Sequence, residues 1–202
     1  MAACVTERAL GHARVGRALP QGDVVVLHTA YAAMAAGCRF LIARGGQPAS
    51  GSDIRPNIRL RRAGNCLNEL DRFLSVMIAQ CGHMAGLAPD GPADGAVDYP
   101  RRLDIARRLR RIEAHCGHVS SATTRLRAIG RIREMACGDG LLRPGAWLER
   151  DMAVATAGQA FIVAHPTKTP EISDQALAAI AEFYASIADR LYLFFVGAAA
   201  EA

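Results

Sequence analysis

The side chains with the clearest capacity for chemistry are arginines concentrated in one stretch of the chain. Residues 101–133 contain ten arginines against two acids, a local charge of +8 in a chain whose net charge is +5. If Ile105 and Leu109 face the core of a helix, several of these guanidinium groups point outward, where they can bind carboxylates or phosphates. The side chains predicted on this basic face belong to Arg107, Arg110, Arg111, Arg125 and Arg131. A solvated helix face without a partner is the plainer alternative.

Two histidines are candidate catalytic residues for phosphoryl transfer. A histidine exposed on a helix can accept a phosphoryl group on a ring nitrogen, and nearby cations stabilise the product. His28 flanks an apolar seam beside Leu27, and its surroundings resemble the histidine box of phosphotransfer domains, except that Tyr31 stands at the place of a lysine. His118 is predicted on the outer face of the arginine-rich helix. For both residues, an ordinary histidine at the flank of a helix is the alternative interpretation.

Cysteine and histidine also occur together, in the segments Cys81–His83 and His115–His118. Their spacings are not those of a structural zinc site, and the sequence contains no glycine-rich phosphate loop and no Ser-His-Asp series. We therefore expect neither a metal nor a cofactor. The six cysteines include no C-x-x-C pair, and several fall on apolar seams, which favours a reduced, cytoplasmic protein.

Four apolar seams must position these residues, each with apolar side chains spaced alternately three and four apart. An average spacing of 3.5 residues keeps such a stripe on one side of a helix, so the seams predict long helices packed nearly antiparallel. The seams run over Val24–Leu41, Leu67–Met84, Ile105–Leu126 and Leu177–Phe194. The sequence therefore predicts a mainly α fold.

The third seam predicts one continuous helix from about Pro100 to Cys137, on the order of 55 Å long at 1.5 Å per residue. A compact monomer of 202 residues cannot cover a seam of that length. We therefore expect a homodimer, in which long helical hairpins from two chains form a four-helix bundle.

The chain divides into three predicted segments. Residues 1–53 form an N-terminal helical segment, residues 54–139 the dimerisation hairpin, and residues 140–202 a small, reduced α+β subdomain. The last assignment rests on Ala160–Ala164 as the best candidate for a strand and on Ser173 as the cap of a final helix. No run of the sequence approaches the roughly 18 apolar residues of a membrane span, so we expect no association with a membrane.

Read as a whole, the second half of the chain resembles HWE-type and related sensor histidine kinases. The basic and aliphatic segment Arg125–Glu134, followed by Gly140–Leu142 and Trp147–Glu149, is similar to the second dimerisation helix of that family and its exit. Phe161–Val163 and the stretch from Ser173 to Glu182 are similar to the strand and first helix of its ATP-binding domain. The resemblance implies a dimeric bundle derived from a histidine kinase, as in bacterial histidine phosphotransferases that relay phosphate to receiver domains.

The chain departs from this family at the positions that carry catalysis. Asn65 and Glu69 stand where the family has the phospho-accepting histidine and the asparagine four residues later. Ser186 stands at the place of the asparagine that holds magnesium, and no glycine-rich lid follows it. We therefore expect no binding of ATP and no kinase activity, because magnesium and the phosphates would lack their ligands.

These observations favour a two-component signalling protein that binds a response-regulator receiver domain, as a phosphate relay, a decoy or a scaffold. The acidic surface of a receiver would complement the outward arginines. The main alternative is a helical regulator that binds nucleic acid through the same arginines, although the chain lacks an aromatic platform for bases. A third alternative is a bundle with a small-molecule cavity lined by Met34, Met77 and Met84, positions at which methionine usually fills the core.

Overall fold

The computed structural model of the protein describes residues 21–46, 56–87, 105–118, 122–138, 146–158 and 172–200. They form six helices: α1 (Gln21–Gly45), α2 (Pro56–Met84), α3 (Ile105–His115), α4 (Ala122–Cys137), α5 (Ala146–Ala155) and α6 (Asp174–Ala200). Within these ranges no strand occurs, and the prediction of a mainly helical bundle is confirmed. The predicted strand at Ala160–Ala164, and with it the α+β character of the last segment, lies outside the described residues.

Helix α2 lies at the centre of the bundle, in contact with α1, α3, α4 and α6. Helix α1 packs along α6 in the opposite direction, because His28 pairs with Tyr192 near one end and Arg44 with Asp174 near the other. Helix α5 folds back along α4. The bundle therefore consists of α1, α2, α4 and α6, and the shorter helices α3 and α5 pack on its sides.

The core of the bundle is built from the apolar seams seen in the sequence. Fully or almost fully buried seam residues occur on every predicted segment and include Leu27, Met34, Leu67, Leu74, Met77, Leu109, Leu126, Ile180 and Ile187. The buried residues form one cluster to which all six helices contribute. The methionines considered for a small-molecule cavity, Met34, Met77 and Met84, are packed in this cluster. The division of the chain at residues 53 and 139 stays a prediction.

The prediction of one continuous third helix is wrong. Helix α3 ends at His115, and Gly117 follows with a φ of +73°, a left-handed conformation that glycine adopts at little cost. The N–H of His118 donates to the carbonyl of Glu113, and the N–H of Gly117 donates to the carbonyl of Ala114. These two hydrogen bonds make a Schellman motif, which satisfies the last carbonyl groups of α3 and ends the helix.

The dimer predicted from the sequence depended on one long third helix, and the break at Gly117 divides that helix into α3 and α4. Leu109 and Leu126, on either side of the break, are 0% and 5% exposed inside the core of a single chain. Among the described helices, none is about 55 Å long. Homodimerisation stays a prediction. A dimer would have to form through a surface other than the seam of α3 and α4, which is buried within one chain.

Helix α1 is unusually apolar for a helix at the surface. Its segment Gly22–Gly45 is long and apolar enough to cross a membrane by length and composition, with a mean hydropathy of 1.5 in its most apolar window. Only 22% of that window is buried inside the bundle. The expectation that the protein does not associate with a membrane stays a prediction.

Helices α2 and α4 pack closely at Gly64, and this contact leads to a prediction about stability. A methyl group at Gly64 would stand 2.7 Å from Sγ of Cys137 and 2.9 Å from Cβ of Ala136, so the two helices would have to separate. Gly64→Ala is therefore expected to lower the free energy of unfolding by about 1–3 kcal/mol. Thermal or denaturant unfolding measures the change.

The matched control is Gly130→Ala on α4, where a new methyl group meets nothing within 4 Å. This substitution is expected to raise the free energy of unfolding by about 0.5–1 kcal/mol, because alanine is the better helix former. Equal effects of the two substitutions would contradict the close packing of α2 against α4.

Candidate functional site

The candidate site is the outer side of α3. Arg107, Arg110 and Arg111 are exposed there, within an eleven-residue helix that carries four arginines. We call the guanidinium groups of these three residues the basic face. No acidic residue occurs in the first turn of α3 to offset them. The positive end of the helix dipole lies at the same turn and adds to the charge of Arg107.

The opposite side of α3 is fixed to the bundle. Leu109 and Ile112 are buried in the core. Arg108 turns inward and donates a hydrogen bond of 2.6 Å to Oγ of Ser75 on α2. The buried Glu113 carboxylate lies 3.6 Å from the guanidinium of Arg190 on α6. The basic face is therefore presented by a helix that is held on two sides.

Arg125, which the sequence placed on the same outer face, instead binds inside the chain. Its guanidinium donates hydrogen bonds of 2.7 Å to the carbonyl of Ala155 and 3.1 Å to that of Ala179, and it lies 4.2 Å from the ring centroid of Phe183. The Ala155 carbonyl belongs to the last turn of α5, where a cation is favourable. Arg125 thus connects α4 to α5 and α6, and its predicted outward projection is wrong.

Arg131 also serves an internal contact. Its Nε and one terminal nitrogen bind the two carboxylate oxygens of Asp151 on α5 at 2.6 and 2.7 Å. The Asp151 side chain is 3% exposed, whereas that of Arg131 is 51% exposed. Two parallel hydrogen bonds are the strongest arrangement for this pair. Arg131 thus keeps its predicted exposure while it binds α5, and only Arg125 is turned inward, because carbonyl groups of α5 and α6 accept its hydrogen bonds.

A buried polar triad joins three helices at the centre of the bundle. The carboxylate of Asp71 on α2 accepts hydrogen bonds from the guanidinium of Arg133 on α4 and from the hydroxyl of Tyr184 on α6. Asp71 is 4% exposed and Tyr184 is 0% exposed. Burial raises the pKa of Asp71, and the charge of Arg133 and the hydroxyl of Tyr184 oppose that rise. The triad was not predicted from the sequence.

His28 lies on the exposed side of α1 near the start of the helix. Its Nδ1 is 2.8 Å from the hydroxyl of Tyr192 on α6, and Tyr192 stacks on Tyr31 with ring centroids 4.2 Å apart. Tyr31, at the place of the lysine of a phosphotransfer box, donates a hydrogen bond to Asp189. His28 therefore belongs to a polar and aromatic contact between α1 and α6. The carboxylate of Asp189 also takes part in that contact.

His118 does not lie on a helix, contrary to the sequence prediction. It follows the glycine turn that ends α3, and its ring meets the ring of Phe194 edge-on at 5.8 Å. The imidazole borders a pocket of about 320 Å³ between the end of α3 and α6, whose other lining residues include Glu113, Cys116, Arg190 and Leu191. The structure thus separates His118 from the outer face of α3 on which the sequence placed it.

Several cysteine thiols in the described part of the chain have raised pKa values. Burial raises the pKa of Cys38 to about 11, of Cys81 to about 12 and of Cys116 to about 11. Protonated thiols are poor nucleophiles and poor metal ligands at neutral pH. In the part of the chain that the structure describes, no three His, Cys, Asp or Glu side chains come together in a way that could hold a metal ion.

In comparisons with known proteins, no protein-family model, no curated protein and no solved structure matches the chain. A function is therefore proposed from the geometry of the basic face and of the two histidines, together with the resemblance expected from the sequence.

The buried triad generates a second prediction. Arg133→Met would leave the buried carboxylate of Asp71 without its cation, which typically costs about 3–5 kcal/mol of folding free energy. Tyr184→Phe would remove one hydrogen bond from the same carboxylate and should cost about 1–3 kcal/mol. Denaturant unfolding followed by circular dichroism measures both effects.

Arg127→Met on the exposed side of α4 is the matched control, since it deletes the same charge from the same helix. It should change the free energy of unfolding by less than about 0.5 kcal/mol. If Arg133→Met is as well tolerated as Arg127→Met, the triad does not hold the three helices together.

Proposed function

We propose that the protein binds the receiver domain of a response regulator through the basic face of α3. The observation that carries this proposal is the exposure of Arg107, Arg110 and Arg111 on a helix whose other side is anchored in the core. The resemblance of the chain to histidine kinases supports the class of partner. Receiver domains are acidic around their phosphorylated aspartate, so the two surfaces are complementary in charge.

The arrangement of charges on α3 is unfavourable for the helix itself. Acidic residues stabilise the first turn of a helix by roughly 0.3–1 kcal/mol each, and arginines near that end have the opposite effect. Helix α3 has no acid in its first turn and places Arg107 at its third residue. An arginine near the N-terminus of a helix departs from this local rule, and such departures are expected at functional sites.

The anchoring of α3 favours binding as well. The helix is fixed by the burial of Leu109 and Ile112 and by the hydrogen bond from Arg108 to Ser75. A partner therefore does not have to order the backbone of the helix, and only the arginine side chains lose freedom on association. This supports a preformed docking surface.

Docking without phosphoryl transfer, as a decoy or a scaffold, is the role we propose for the protein. His118 stands outside a helix and against Phe194, and the partner of His28 is a tyrosine hydroxyl with a carboxylate nearby. Neighbouring cations stabilise a phosphohistidine, whereas the acceptor in the contact around His28 is the carboxylate of Asp189. Arg190 borders the pocket beside His118, so for His118 it is the place outside a helix that opposes a relay role. Incubation with a labelled phosphorylated receiver tests this role directly, since a relay would leave acid-labile phosphate on the protein.

The third prediction concerns the basic face. Replacing Arg107, Arg110 and Arg111 by Glu should weaken association with a phosphorylated receiver domain by at least about tenfold, mainly through a slower association rate. Binding by the unaltered protein should also weaken as salt is added, because exposed charges are screened beyond about 10 Å at 0.1 M ionic strength. Surface plasmon resonance against a panel of receivers from the same genome measures rates and affinity together.

The control replaces three other exposed arginines by Glu, namely Arg61, Arg62 and Arg72 on α2. The net charge changes by the same amount in both variants, so a loss confined to the α3 variant locates the surface. Equal losses in both variants would show a nonspecific charge effect and contradict the proposal. Unchanged receiver binding together with lost DNA binding would favour the nucleic-acid alternative.

A further inference from the structure

The pocket of about 320 Å³ between the end of α3 and the second half of α6 has the size of a small-molecule site. Such sites in proteins usually have volumes of roughly 300–1,000 Å³, so this one suits a small ligand. The wall formed by α6 is apolar. Ile187, Leu191 and Phe194 are spaced four and three residues apart, so one side of α6 faces the pocket. Leu193, which is 68% exposed, lies at its open edge.

The opposite wall is formed by the end of α3 and by the glycine turn that follows it. Two side-chain contacts connect this wall to α6. The carboxylate of Glu113 lies 3.6 Å from the guanidinium of Arg190, and the ring of His118 meets the ring of Phe194 edge-on. All four of these side chains line the pocket. A few polar groups therefore converge on a pocket whose remaining lining is apolar, which is the usual composition of a ligand site.

The polar groups that an entering ligand would meet first are basic. The side chain of Arg190 is 57% exposed and His118 is exposed, whereas the side chain of Glu113 is only 9% exposed. The contact of 3.6 Å between Glu113 and Arg190 is longer than a hydrogen bond, so the N–H donors of the guanidinium can still bind an incoming acceptor. An imidazole ring can also donate an N–H. The open side of the pocket is thus complementary to an anion.

We propose that this pocket binds a small carboxylic acid with an apolar body of about the size of one aromatic ring. The carboxylate accepts hydrogen bonds from the guanidinium of Arg190, a pairing that arginine can make with two parallel bonds. The apolar body packs against Leu191 and Phe194 and leaves water. An amine of the same shape would meet the charge of Arg190 before it could reach the covered carboxylate of Glu113.

The fourth prediction compares three probes that have the same carbon skeleton and differ in the polar group: phenylacetate, phenethylamine and phenethyl alcohol. Phenylacetate should bind saturably with a Kd of about 1 mM or tighter, an affinity that is reasonable for a ligand of this size. The amine and the alcohol should bind at least about tenfold more weakly, because neither carries a negative charge to pair with Arg190. Ligand-observed NMR or isothermal titration calorimetry measures the three affinities.

Two variants test whether the probe binds in this pocket. Leu193→Glu places a carboxylate at the open edge, and Arg190→Gln removes the cation, so each should weaken binding of phenylacetate by about fivefold or more. Arg190→Gln also takes the cation away from the buried Glu113, and Leu193→Glu decides the question if that variant does not fold. Val76→Glu on α2 and Arg127→Gln on α4 make the same exchanges at exposed positions outside the pocket and should bind as the unaltered protein does.

A second measurement locates the bound probe by the reactivity of two cysteines. Cys116 lines the pocket, and Cys137 is exposed at the end of α4, outside it. Phenylacetate at about ten times its Kd should slow the alkylation of Cys116 by N-ethylmaleimide about tenfold, because only the unoccupied fraction reacts. The alkylation of Cys137 should not change. Mass spectrometry of peptides follows both thiols.

Three results would each overturn the inference. They are the absence of saturable binding of phenylacetate up to about 10 mM, which is ten times the expected upper limit of Kd, binding of phenethylamine as tight as that of phenylacetate, and undiminished binding by a folded Leu193→Glu variant. Equal labelling of Cys116 with and without phenylacetate would also contradict it. No receiver domain is present in these measurements, so their outcome is independent of the function proposed for the basic face.

Discussion

The buried carboxylate of Asp71 is stable only when hydrogen-bond donors contact it, and this requirement constrains the packing of the bundle. Asp71 sits in the core of the bundle, where an unpaired charge would cost several kcal/mol. Its two partners come from α4 and α6, so Arg133 and Tyr184 fix the rotation of both helices about α2. The close contact of Gly64 with Ala136 and Cys137 lies about one helical turn beyond Arg133 and also holds α4 against α2. The position of every other arginine on α4 follows from that rotation.

The arginine-rich stretch therefore has two roles, divided by the turn at Gly117. After the turn, Arg125, Arg131 and Arg133 bind carbonyl and carboxylate groups of α2, α5 and α6 and stabilise the bundle. Before the turn, the basic face on α3 points to solvent. A count of charges along the chain cannot separate these roles, since both halves are equally basic. The separation depends on which side of each helix the rest of the chain covers.

The parts of the structure that could be predicted from the sequence are those that depend on local periodicity. The seams gave the core positions, including Leu27, Leu74 and Ile180, because an apolar stripe on a helix must be buried. The end of α3 at Gly117 was missed, although a glycine after a histidine and a cysteine is a usual helix stop, because the seam continues at the right spacing on both sides. The triad joins positions 71, 133 and 184, and no local pattern links residues so far apart. The exposure of α1 depends on how little of this apolar helix the rest of the chain covers, which only the packing shows.

The central claim is that the basic face of α3 meets a receiver domain while Arg125, Arg131 and Arg133 of α4 stay bound to groups of the chain itself. Hydrogen exchange of the protein, measured by mass spectrometry with and without a phosphorylated receiver that binds it, tests this most directly. The account predicts slower exchange in peptides from Ile105–His115 and unchanged exchange in Ala122–Cys137. Protection of α4 with none in α3, or binding that leaves both helices unchanged, would contradict it.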